Sequence, residues 1–158
     1  MPQEMTSKAR WVRHTARKVP LTTWGRPASC TDPSTWSDFR RAHRSKVGVG
    51  CGFVLSKGDG IVCLDLDHVI GRDGSLAAWA EQLLAQLPAT YIEVSRSGTG
   101  LHVFGWGALP GTGRRWTYKD GTGLEVYAVG RYIAMTANRW CGAPAALADL
   151  SEVLDTLT

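Results

Sequence analysis

Several absences in this 158-residue sequence each remove a class of protein. No apolar run approaches the ~20 residues needed to cross a bilayer, so no membrane is expected among its partners. The four cysteines, Cys30, Cys51, Cys63 and Cys141, form no C-x-x-C pair. That spacing excludes the usual zinc frameworks and argues against a disulfide scaffold, leaving buried free thiols as the expectation. The opening stretch MPQEMTSKARWVRHTARKVP has no apolar h-region, so a secretory signal is not expected and a cytoplasmic location is. Repeats and low-complexity tracts are also missing.

What is present suits one compact domain with a sizeable core, at 44% hydrophobic residues. Net charge is +4, and it is unevenly spread. Residues 1–46 carry ten Lys/Arg against three Asp/Glu, while residues 47–158 carry eight against eleven. A basic first third beside an acidic remainder implies one surface for a polyanion and another for cations, unless the basic part is an ordinary solvated face. Seven tryptophans is a high count, and Trp11, Trp24, Trp36 and Trp116 lie near basic residues. That interleaving is compatible with base stacking, although burial is the commoner use of so large an apolar surface.

The pattern along the chain predicts α+β with a mainly antiparallel sheet, because hairpins are mixed with helices instead of alternating regularly with them. A short strand is expected at Trp11–His14. A helix is expected over TDPSTWSDFRRAHRS, with Asp32 as N-cap, Pro33 at its first position, and Trp36 and Phe39 on one face. KVGVGCGFVLSKGDGIVCLDLD reads as a β-hairpin turning at Lys57–Gly60. Gly48, Gly50 and Gly52 alternate there, leaving one strand face almost bare, as close approach of another backbone or a ligand requires. Ser75 is the expected cap of a helix through Leu76, Trp79, Ala80, Leu83, Leu84 and Leu87, ended by Pro88. Strands are expected at Tyr91–Ser95, Leu101–Trp106, Leu124–Tyr127 and Arg131–Thr136, with a basic Gly-rich loop, GTGRRWTYKDGTG, among them. PAALADLSEVLDTLT predicts a last amphipathic helix through Leu147, Leu150, Leu154 and Leu157.

Three polar insertions interrupt the apolar strands. In GIVCLDLDH, strand alternation sends Leu64 and Leu66 one way and Asp65 and Asp67 the other. Two carboxylates about 7 Å apart at Cα can converge on one hard cation such as Mg²⁺. The alternative is a strand that has ended, with both acids in solvent. In EVSRSGTGLHVFGWG, the Gly-rich turn offers backbone N–H groups as an anion nest, Ser97 and Thr99 add hydroxyls, and His102 faces away from Leu101 and Val103. In GLEVYAVGRYIAMT, Glu125 falls opposite Leu124 and Val126, and is costly to bury without a partner. Arg131 can meet either Glu125 or a phosphate. Together, three acids, a phosphate-type turn, a histidine and an arginine are what two-metal nucleotidyl transfer requires.

The order Asp-Leu-Asp, S-x-S-G-x-G-x-H, then Glu on a strand before Gly-Arg-Tyr resembles the prim–pol branch of the archaeo-eukaryotic primase superfamily. This is the bifunctional primase–polymerase domain of phage and plasmid replication proteins. RKVPLTTWGRPASCTDPSTWSDFRRA is similar to that family's opening segment, so the resemblance runs from about Arg17 to Thr136. It implies an RRM-like catalytic sheet packed with helices and a smaller N-terminal α/β unit. On the chain, it implies a single catalytic domain over residues 1–158: a basic N-terminal segment and helix at 1–46, the catalytic sheet at 47–140 and a C-terminal helix at 143–157.

By the same resemblance Asp65, Asp67 and Glu125 are the ligands of two Mg²⁺ or Mn²⁺ ions. Ser97, Gly98, Thr99 and His102 hold the phosphates of a dNTP or NTP, with Arg131 and Lys18 assisting. Tyr132 contacts the sugar or base, with Tyr127 as the other candidate. The implied activity is DNA-templated primer extension, the partner a DNA template and primer, and the setting a phage- or plasmid-encoded protein in a prokaryotic host. Family members usually continue into a helical primase module and a helicase. This sequence stops after one further helix, so an excised domain or a stand-alone member served by such modules in trans is expected. The rival readings are a metal-dependent nuclease, which has less need of a phosphate nest, and a non-catalytic single-stranded-DNA-binding replication module.

Overall fold

The computed structural model describes residues 1–157. Its architecture is mixed α+β, with nine strands in two sheets and every strand pair antiparallel. In chain order the main elements are α1 (Gln3–Thr6), β1 (Trp11–His14), β2 (Pro20–Leu21), α2 (Phe39–Arg44), β3 (Gly50–Leu55), β4 (Ile61–Asp67) and α3 (Ala78–Gln86). They are followed by β5 (Tyr91–Val94), β6 (Leu101–Trp106), β7 (Gly113–Thr117), β8 (Gly123–Tyr127), β9 (Arg131–Ala134) and α4 (Ser151–Leu157). The first sheet has the order β2-β1-β3-β9 and the second β5-β6-β4-β8-β7.

The expected hairpin over residues 46–67 does not form. β3 is flanked by β1 and β9, with Phe53 opposite both Trp11 and Ile133, and β4 is flanked by β6 and β8. With both edges of each strand occupied, the Gly-rich link between them carries the chain from one sheet to the other. The short link from β8 to β9 crosses in the same way, and Gly130 N–H donates to Leu55 O at 3.1 Å where the two crossings meet. The strands within 47–140 are therefore shared between two sheets, and β3 and β9 extend a sheet begun by the N-terminal strands, with β1 pairing directly with β3.

Alternation builds the two layers of core. On β4, Val62, Leu64 and Leu66 face α3 and α4, packing with Ala80, Leu83, Val153 and Leu154. Ile61 and Cys63 face the first sheet and pack with Phe53, Leu55, Ile133 and Trp11. Asp65 and Asp67 continue that second row beyond the apolar part. The bare glycine face is filled by close approach, as alternation implied, and the groups that approach are His14 and Tyr132. A Cβ on Gly48 would lie 2.1 Å from His14 O, on Gly50 2.8 Å from His14 Nε2, and on Gly52 2.2 Å from the Tyr132 ring.

Three helices are shorter than their patterns predict, each for a local reason. Over 31–45, a 3-10 turn at Pro33–Thr35 precedes α2, because Ser37 exchanges backbone bonds with Trp11 and interrupts the helix. Asp32 caps the turn and Asp38 caps α2, while Trp36 and Phe39 do not share a helix face: the Trp36 indole donates to Ser29 O and Phe39 packs on Trp11. Ser75 bonds Asp73 and does not cap α3, which starts after Ala77. Residues 144–150 are not helical: Trp106 N–H donates to Ala148 O, and Leu150 N–H to Trp106 O, so α4 starts only at Ser151. The expected helix also included Thr158, which lies outside the described residues.

The basic loop at 111–123 contains a strand, β7, at the sheet edge, where exposed arginines are normal. The thiols are all free, but only Cys63 is buried; Cys30 and Cys51 are half-buried and Cys141 is exposed.

Candidate active site

Both acids of the Asp-Leu-Asp motif lie within β4, so the strand has not ended before them. Antiparallel register then places a single row of ionisable side chains across all five strands of the second sheet. Glu93 on β5 is opposite His102 on β6, which is opposite Asp65 on β4, then Glu125 on β8 and Arg115 on β7. Asp67 stands on the same face two residues further along, opposite Gly123, which offers no side chain to crowd it.

Oxygens of Asp65, Asp67 and Glu125 lie within 4.8 Å of one another. Three hard carboxylate donors converging in this way fit a divalent cation of the Mg²⁺ or Mn²⁺ type. Burial pushes the Asp65 carboxyl above its usual range; Asp67 and Glu125 push the same way, opposed by His102 and Lys18. Bound positive charge would relieve that cost.

Neighbouring side chains hold the acids in place. Arg115 Nε lies 2.9 Å from Glu125 Oε1, and the Tyr127 hydroxyl donates to Glu125 Oε2. Burial is the main reason the Tyr127 hydroxyl is pushed up to about 12, with the Glu125 bond adding to it. His102 Nε2 is 3.7 Å from Asp65 Oδ1, and its Nδ1 is 3.1 Å from Glu93 Oε1. Glu93 is wholly buried. It accepts from the Tyr91 hydroxyl at 2.8 Å and from the Thr136 and Ala137 N–H groups at 3.0 and 2.9 Å.

The three acids and His102 open into a cleft of about 350 Å³ between the sheets. The cleft brings together Asp65, Asp67, Glu125 and His102 with Ser97, Lys18, Arg131 and Tyr132. Tyr127 lines it as well. Tyr132 donates its hydroxyl to Lys18 O at 2.7 Å, fixing the turn that presents Lys18. Arg131 does not pair with Glu125; its guanidinium lies 4.6 Å from the Tyr127 ring centroid, a cation–π contact.

The Gly-rich turn differs from its expected form. The N–H groups of Gly98, Thr99 and Gly100 are already donated within the turn, to Ser95 O, Ser97 Oγ and Ser95 Oγ. They leave no open nest. Gly98 sits at the apex and Thr99 directs its hydroxyl to Ser97 and His68, so neither lines the cleft. The side chains of Ser95, Arg96 and Ser97 do line it.

Glu93, Arg96 and Arg115 were not singled out from sequence. Glu93 occupies the same alternation on β5 that exposed the other acids, which was the available signal. Arg115 had none, because its strand read as a loop.

Comparison with known proteins agrees with this geometry. Residues 8–151 match the Prim-Pol family, described as bifunctional DNA primase/polymerase, N-terminal. The chain is also 40% identical over 138 residues to a protein named DNA primase-polymerase from Nitratiruptor phage NrS-1. That alignment covers 84% of this chain and 19% of the phage protein, so the chain spans about a fifth of its relative's length. With nearly its whole length matched and the acidic cluster in place, the chain belongs to the bifunctional DNA primase/polymerase N-terminal family.

Proposed function

We propose that residues 1–158 form a nucleotidyltransferase domain that extends a primer 3′-hydroxyl on a DNA template, using a dNTP or NTP as donor. The observation that carries this reading is the convergence of Asp65, Asp67 and Glu125 within 4.8 Å in a cleft that also holds His102, Ser97, Arg131 and Lys18. In this reading the five-stranded sheet is the RRM-like catalytic platform.

Asp65, Asp67 and Glu125 would hold two Mg²⁺ or Mn²⁺ ions. When bound, these supply Lewis acidity at the primer hydroxyl and the transferring phosphoryl group. His102 presents Nε2 to the triphosphate, since Glu93 occupies Nδ1. Ser97, Arg96, Lys18 and Arg131 add donors that hold the phosphates in line. Tyr132, packed against bare Gly52, walls the sugar or base side. De novo priming is assigned in this reading to a helical module or a helicase acting with the domain.

The test is Mg²⁺- or Mn²⁺-dependent primer extension by Asp65→Ala and Glu125→Ala. Each variant should fold as judged by circular dichroism and lose activity by at least ~10³-fold. Wild-type extension by a folded double variant would overturn the assignment. Shortening of a labelled single strand by the wild-type protein with Mn²⁺ and no nucleotides would identify a nuclease instead.

A further inference from the structure

The segment from Lys18 to Cys30 is rooted in the cleft at both ends, since Lys18, Pro20 and Cys30 all line it. Between those roots the chain turns at Thr22–Arg26, and the turn is tightly fixed. Thr22 N–H donates to Arg26 O at 2.8 Å, and Gly25 N–H to Thr22 O at 3.1 Å. Thr22 Oγ1 accepts from the Trp24 and Arg26 N–H groups at 3.3 and 3.1 Å. At the tip, Trp24 is 80% exposed. An indole this exposed has its ring available to stack on a flat partner.

The turn is joined to α2, because Ser45 Oγ donates to Thr23 O at 3.0 Å. Below, buried Arg13 donates to the Val47 and Ala42 carbonyls at 2.6 and 3.3 Å, anchoring the end of α2 to β1. Outward, α2 exposes Arg40, Arg41 and Arg44, and these line one shallow groove with Trp24. The acid of that groove, Asp38, is already engaged: it accepts from Arg41 N–H at 2.8 Å and lies 3.9 Å from the Arg41 guanidinium.

A rigidly presented indole beside three guanidinium groups is complementary to a single nucleic-acid strand, with a base on the ring and phosphates on the arginines. A duplex hides its base faces, and an acidic peptide would use the arginines but not the π-face of the indole.

We propose that Trp24, Arg40, Arg41 and Arg44 form a stacking platform for a single strand entering the catalytic cleft. Calling that strand the template rests on the polymerase reading; single-strand binding itself does not. Trp24 is four positions along the chain from Pro20 at the cleft, a reach of at most about 14 Å. That is about four nucleotides at the stacked spacing of one strand.

The test is a fluorescence-anisotropy titration with a labelled oligothymidylate of about 20 nucleotides, long enough to exceed one such site. Chelator is present and nucleotide is absent, so neither the acidic cluster nor chemistry enters the measurement. Trp24→Ala is expected to weaken binding by about tenfold, and Trp24→Phe to recover part of the loss. Arg40→Ala with Arg44→Ala should reduce the slope of log affinity against log salt by about 1.4.

Wild-type oligonucleotide affinity in Trp24→Ala overturns the proposal, and is the result expected if the indole docks a protein. An equal loss for blunt duplex DNA overturns it as well, because base stacking would then play no part. Retained polymerisation by Asp65→Ala would sink the functional reading and leave this titration standing, so the two failures are distinguishable.

Discussion

Glu93 stands opposite His102 in the second sheet, and its wholly buried carboxylate meets the imidazole Nδ1 at 3.1 Å. The same carboxylate takes the N–H groups of Thr136 and Ala137, which follow the last strand of the first sheet. One side chain thus fastens the two sheets beside the cleft and aims the histidine. Glu93→Ala strands the Tyr91 hydroxyl and both amides, at about 1–3 kcal/mol for each buried donor. A loss of roughly 3 kcal/mol or more is expected in urea denaturation. A loss below about 1 kcal/mol would show that water replaces the carboxylate and that the network does not dock the sheets.

Asp65 should cost the fold stability at neutral pH. Its carboxyl is raised above the ordinary value of 3.8, first by burial and then by Asp67 and Glu125, so the folded chain holds that proton more tightly than the unfolded chain does. The associated stability is complete below pH 3.8 and is lost as pH rises through the elevated folded value. Asp65→Asn is therefore expected to raise the melting temperature at pH 7 and to lose that advantage on acidification towards the unfolded value. Mn²⁺ should raise the melting temperature of the wild type by more than that of the variant. A variant that melts lower than wild type at pH 7 would contradict the sign.

In the proposed reading, His102→Ala removes the ring nitrogen, Nε2, that would meet the phosphates. A hydrogen bond to a charged group is worth about 1.5–3 kcal/mol, so the KM for nucleotide should rise about 10- to 100-fold, with kcat also reduced. Steady-state primer extension at varied nucleotide measures this. A change confined to DNA affinity would remove His102 from the phosphate site.

Gly52→Ala places a Cβ 2.2 Å from the Tyr132 ring, which already bonds Lys18 through its hydroxyl. The ring must leave its position, at about 1–3 kcal/mol of overpacking. Thermal unfolding should show the loss, and the KM for nucleotide should rise because Tyr132 and Lys18 move together. An unchanged KM in a destabilised variant would separate Tyr132 from the nucleotide.

The acids were legible in the sequence because alternation is a local rule, and a strand with leucines on one side and aspartates on the other says which face is wet. The strands expected at Trp11–His14 and Leu101–Trp106 are β1 and β6 with those same bounds. The sheet switch between β3 and β4 was not legible. Two apolar runs joined by a Gly-rich link look the same whether they pair with each other or with distant partners, and here β1, β6, β8 and β9 took the available edges. Glu93 was hidden for a related reason. Two of its partners, the Thr136 and Ala137 amides, lie 43 and 44 positions away, which no local pattern reports. The turn amides of Gly98 to Gly100 were misread because composition shows which donors exist and not which are already taken.

The alternation of β4 encodes two layers at once, leucines for the helices and carboxylates for the cleft. A single residue inserted or deleted between Ile61 and Asp67 would exchange them, driving the acids under α3 and α4 and the leucines into the cleft. Length changes in this strand are thus lethal to architecture and chemistry together. Side chains here can be varied one at a time, but the count of residues is inherited as a single indivisible trait.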